Sequence, residues 1–63
     1  MAVDDALDRL PERHRQAIRL RVEGYEVSEI AAMTRRSLRS TERLLQESRA
    51  RLAELLSRDE EAP

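Results

Sequence analysis

The chain has 63 residues, with 12 basic and 13 acidic side chains and a formal charge of −1. It has no Cys, Trp or Phe and a single Tyr, so its core must be aliphatic and neither a disulfide nor a thiolate metal site can staple it. So short a chain buries only about 60% of its unfolded surface and suits one small domain; no apolar run nears the roughly 20 residues of a membrane helix, and the acidic start MAVDDALDRL lacks a signal-peptide pattern, which points to a cytoplasmic location.

Helical spacing dominates throughout, and no stretch alternates in the manner of a strand. Val3 to Arg9 reads as a short first helix, with Asp4 and Asp5 complementing the positive end of its dipole. Pro11 suits the first turn of a second helix, where its missing N–H is no loss. That helix carries Ala17, Ile18 and Val22 on one side with Leu20 offset, and Arg13, Arg15, Arg19 and Arg21 elsewhere. Gly24, the only glycine, follows at once and marks a left-handed stop.

A third, short helix runs from Val27 to Met33, with Val27, Ile30, Ala31 and Met33 as its inward set. Glu26 stands at its cap position, a place where Ser, Thr or Asp caps better. Tyr25 reads as a plug between helices, and His14, the lone histidine, as a semi-buried structural residue without metal-binding company. Ser37 is a good N-cap for a fourth helix reaching about Leu56. Leu38, Thr41, Leu45, Ser48, Leu52 and Leu55 form its inner stripe, widened by Leu44 and Leu56, and the leucines beyond Leu52 threaten to leave an apolar edge. The sequence therefore predicts an all-α four-helix domain over residues 1–56 and a disordered acidic tail over 57–63.

Charge is blocked along this frame. Residues 1–12 and 52–63 each sum to −3, whereas residues 13–23 sum to +3 and residues 35–51 to +4. A near-neutral total therefore says nothing against a local basic face. Every basic residue is Arg, whose planar fork of donors matches phosphate oxygens and the guanine edge.

A short helix, a tight turn and a longer Ser-capped helix rich in Arg form helix-turn-helix geometry, the long one acting as recognition helix. Outward positions fall at Arg36, Arg39, Ser40, Arg43 and Gln46, and the unpaired N–H groups of the helix start add to the attraction for an anion. Catalysis has no such support. There is no phosphate loop, Cys, His pair or nucleophile with a base, so no enzyme, cofactor, metal or small-molecule substrate is expected.

The segment LPERHRQAIRLRVEGYEVSEIAAMTRRSLRSTERLLQESRARLAELL resembles region 4, the C-terminal domain of bacterial sigma factors, most closely those of the extracytoplasmic-function group. Leu10-Pro11, Arg13, Arg15, Leu20-Arg21, Glu23-Gly24, Glu29-Ile30-Ala31, Ser37 and Arg49-Ala50-Arg51-Leu52 carry the likeness, over residues 7–56. The resemblance implies a four-helix unit whose last helix enters the major groove of the −35 promoter element. It also implies docking on the beta flap of RNA polymerase core and, in many members, cover by an anti-sigma factor. Arg39, Ser40, Glu42, Arg43 and Gln46 match the base-facing stretch; Ser37 and Arg13 match positions that approach phosphates, and Arg36 joins them on the cationic face. For Arg21 the resemblance leaves both a phosphate contact and an internal pairing with Glu29 open.

Three residues depart from the family pattern. Arg35 stands where many members have Gly in the turn, Arg36 replaces a small aliphatic, and Thr41 replaces Val or Ile. No stretch resembles region 2, the part that melts the promoter, so the expectation is a fragment of a longer factor or a free-standing relative. Two other readings compete with promoter recognition. One is a helical module that binds polymerase, an anti-sigma factor or itself through the leucines of 44–56 without reading DNA. The other is an effector domain of the LuxR type, also four-helical with EIA in its bracing helix. The pairing of Arg39 with Glu42, or Glu47 with Arg51, as plain surface ion pairs is the bland account of the charge run.

Overall fold

The structure, a computed structural model, describes the backbone of residues 2–61 and the side chains of residues 2–57. Four helices follow one another: α1 (Val3–Asp8), α2 (Glu12–Val22), α3 (Val27–Met33) and α4 (Leu38–Glu61). Among the described residues there is no strand. The third helix has the limits its periodicity predicts, and α1 ends one residue earlier. Pro11 is the N-cap of α2 and not a residue within its first turn. Its carbonyl accepts the N–H groups of His14 and Arg15 at 3.0 Å.

Helix α4 is the spine, and α1, α2 and α3 all pack against it. Its 24 residues span about 36 Å at 1.5 Å per residue and lie in a molecule measuring 42 × 19 × 17 Å. The core is aliphatic, as the composition demands: Leu7 and Leu10 from the amino-terminal end, Ala17 and Ile18 from α2, Ile30 from α3, and Leu44 and Leu45 from α4. Leu20, Val27, Leu52 and Leu55 close it from the side, half-buried. On α4 the inner stripe also holds Thr41 and Ser48, both fully buried. Each offsets the cost of its hydroxyl within the helix, Thr41 donating to the Ser37 carbonyl at 2.9 Å and Ser48 to the Leu44 carbonyl at 2.6 Å.

Several expectations about the inner faces need correcting. The buried stripe of α2 is His14, Ala17 and Ile18, one turn earlier than expected, because α2 meets α4 near its start. Val22, four residues beyond Ile18, is therefore 79% exposed. His14 is not semi-buried but fully so. Tyr25 is exposed and no plug; its backbone holds it, the N–H donating to the Leu20 carbonyl at 3.2 Å while its own carbonyl accepts from Arg21 at 2.9 Å. That contact is the partner the structure gives Arg21. Glu29 instead accepts the Glu26 N–H at 2.9 Å, which supports the start of α3 despite its carboxylate cap. Met33 and Leu38, flanking the turn, are both about half exposed. At the other end α4 is helical to Glu61, past the expected stop at Leu56; no Gly or Pro interrupts the chain there. Ala62 and Pro63, the end of the expected tail, lie outside the described residues.

Two helices end in the same way. After α2, the Gly24 N–H donates to the Arg21 carbonyl and the Tyr25 N–H to that of Leu20. After α3, the Arg35 N–H donates to the Ala32 carbonyl and the Arg36 N–H to that of Ala31. Both are Schellman closures, which need a left-handed residue just past the helix. Gly24 supplies φ 104°, and Arg35 supplies φ 57°. The second value lies in the small left-handed basin open to side-chain-bearing residues, whereas the first does not. Arg is thus admissible at position 35, at a cost of about 1–2 kcal/mol over glycine.

Candidate nucleic-acid interface

The turn between α3 and α4 is four residues long, Thr34 to Ser37. Thr34 caps α3, its hydroxyl donating to the Ile30 carbonyl at 2.7 Å. Arg35 reverses the chain, and Ser37 then opens α4, its Oγ accepting the Ser40 N–H at 3.1 Å. The Thr41 N–H goes to the Ser37 carbonyl at 3.0 Å. The N–H groups of Leu38 and Arg39 find no partner among the described residues and remain directed out of the helix start.

Side chains follow from this start. At about 100° per residue, Arg39, Arg43 and Gln46 fall within an arc of about 60°. They lie opposite the fully buried Thr41 and Ser48. All three are exposed, as are Arg36, Ser37, Ser40 and Glu42. Ser37, Arg39, Ser40 and Arg43 line one shallow surface hollow. Glu42 and Gln46 line a neighbouring one, together with Val27, Leu45 and Arg49, in the cleft between α3 and α4. The residues expected to face bases are thus exposed together but divided between two hollows, with the single carboxylate on the α3 side.

No hydrogen bond or ion pair engages the guanidinium groups of Arg36, Arg39 or Arg43 among the described residues. The surface pairing of Arg39 with Glu42 does not form there, nor that of Glu47 with Arg51. An ion pair does join Arg19 to Asp8 at 3.7 Å, between α1 and α2. Its two side chains are more than half exposed, so it contributes little to stability.

Arg13 is exposed on α2 beside His14, and its charge acts on the imidazole. Burial lowers the His14 pKa below its ordinary 6.5; Arg13, Arg51 and Arg36 lower it further, and Glu47 opposes them. Three cations from α2, the turn and α4 therefore lie near one buried ring. Arg51, not among the DNA-contacting residues expected from the sequence, belongs to this group; it stands three residues after Ser48, a helical spacing that points to it. Arg35, named in the sequence as a departure from the family's turn glycine, has an exposed side chain that is unpaired among the described residues.

Among the described residues no group of three His, Cys, Asp or Glu side chains converges to hold a metal ion, and no helix is long and apolar enough to cross a membrane. Compared with known protein families, the chain matches the family described as sigma-70, region 4, over residues 1–52. No curated protein and no solved structure matches it.

Proposed function

The chain belongs to the sigma-70 region 4 family, and from that premise we propose that it reads the −35 promoter element through the first turns of α4. The family is one of DNA-binding transcription-factor domains, not of enzymes, and its members act on promoters with RNA polymerase core in transcription initiation. The observation that carries the reading here is the unpaired, exposed face of Arg39 and Arg43, opposite the buried side of α4.

In this reading Arg39, Ser40, Arg43 and Gln46 meet base edges in the major groove, the arginines as forks suited to guanine. Glu42, on the α3 side, accepts from a cytosine amino group. Arg13 and Arg36 neutralise phosphates. Ser37 does two things at once: its Oγ caps the helix, and its own O–H stays free to donate to a phosphate oxygen. One such module buries roughly 600–1,000 Å² on DNA, so the isolated domain binds weakly and with a steep salt dependence. Docking on the beta flap of polymerase core, cover by an anti-sigma factor, membership of the extracytoplasmic-function group and a cytoplasmic location belong to the same proposal.

Selection of bound sequences from a random duplex pool, at stated salt, tests it. Enrichment of one short motif supports the reading; salt-dependent binding without enrichment of any motif overturns base recognition and leaves a polyanion binder.

A further inference from the structure

The two Schellman closures offer a comparison within one molecule. Both need a left-handed residue. After α2 the chain uses its only glycine; after α3, under the same hydrogen-bonding demand, it uses Arg35. Glycine would satisfy the backbone at position 35 with less strain. The side chain that is kept instead is exposed and makes no hydrogen bond or ion pair among the described residues. It returns nothing to the fold that the structure shows. Its neighbours include two more cations, Arg36 directly after it and Arg39 four residues on. A strained residue with an idle side chain beside a binding face is where strain is retained for function.

We propose that Arg35 is a phosphate-contacting residue of the DNA interface, held left-handed at the expense of stability so that the turn adds a cation ahead of the recognition helix. This rests on the DNA-binding reading above and extends it from the helix to the turn. The turn would clamp the duplex backbone while Arg39 and Arg43 occupy the groove. Because a phosphate contact carries no sequence information, Arg35 raises affinity for every sequence alike.

The test separates backbone from charge with three variants of the 63-residue chain. Binding to a mixed-sequence duplex is measured across a salt series, and thermal unfolding is followed in parallel. Arg35→Gly should melt higher, by on the order of 5 °C, yet bind more weakly, with the slope of log affinity against log salt shallower by about 0.9. Arg35→Gln should lose the same slope without gaining stability, and Arg35→Lys should keep the slope. If the glycine and glutamine variants retain the wild-type slope while the wild type binds steeply, the inference is overturned and the DNA-binding reading survives. If the wild type itself shows no salt-dependent duplex binding, that reading falls, and the role of Arg35 with it.

Discussion

His14 and Ser48, 34 residues apart in the chain, are joined by a buried hydrogen bond of 2.7 Å between Nδ1 and Oγ. The Ser48 hydroxyl has one proton, and it is directed at the Leu44 carbonyl at 2.6 Å. Nδ1 must therefore be the donor, so the ring is the neutral tautomer protonated at that nitrogen. Its Nε2 is left as a buried acceptor with no partner. This bond fastens α2 to α4 where the two helices cross, and so bears on the direction in which the first turns of α4 project.

Removing the serine hydroxyl should be costly because it strands a buried donor. Ser48→Ala is expected to destabilise the domain by about 1–3 kcal/mol in chemical denaturation. Replacing the ring as well, in a Ser48→Ala and His14→Leu double variant, removes the stranded group and should recover part of the loss. Strictly additive losses would show that the two side chains are not coupled.

The same histidine makes stability depend on pH. Its folded pKa lies below 6.5, through burial first and then the nearby Arg13, Arg51 and Arg36 against Glu47. Above the unfolded value of 6.5 both states are neutral at this site and its contribution is fully present. As pH falls below that, the unfolded chain takes up a proton that the folded ring resists, and stability declines until the folded pKa is reached. The melting temperature should therefore drop as the pH falls below 6.5, and His14→Gln should flatten that drop. An unchanged pH profile in the variant would assign it to other groups.

Ser37 allows the cap to be separated from the proposed phosphate contact. Ser37→Ala should cost about 1 kcal/mol of stability by leaving the Ser40 N–H unpaired. Ser37→Asp keeps a capping oxygen and should hold or raise the melting temperature. Its negative charge would oppose a phosphate, however, so duplex binding should weaken in a stable protein. Tight binding by the aspartate variant would remove Ser37 from the interface.

Arginines on α4 and on α2 should fail differently. Arg39→Ala or Arg43→Ala is expected to lose about 1–3 kcal/mol of discrimination against the wrong base, flattening the selected motif at one position. Arg13→Ala should weaken all sequences equally and reduce the salt slope by about 0.9. Identical behaviour of the three variants in a binding-site selection would contradict the division into base and phosphate contacts.

Much of this molecule is legible locally. Gly24 and Ser37 mark helix ends because the left-handed turn and the side-chain cap involve only neighbours within one turn, and α3 falls where its periodicity predicts. The four-helix architecture and the outward position of the arginines on the last helix were legible for the same reason, and so was the family likeness, which the match over residues 1–52 bears out. That those arginines stand unpaired among the described residues was left open by the sequence. Reading the inner faces fared less well. Val22 continues the spacing of Ala17 and Ile18, and Leu38 that of Thr41 and Leu45, yet both are exposed. Periodicity gives the side of a helix that is apolar, but not how far along its length a neighbour covers it.

What the sequence determined by itself is the order of helices, their stops and caps, and the blocking of charge along the chain, all set by interactions within a few residues. Where α2 crosses α4 was decided only by tertiary structure, through the burial of His14 against Ser48 and of Ala17 and Ile18 in the shared core. Burial is a property of pairs of surfaces brought together from distant parts of the chain. That crossing covers the middle of α4 and leaves Leu38, Arg39 and Arg43 outside, and the proposed interface exists because of it.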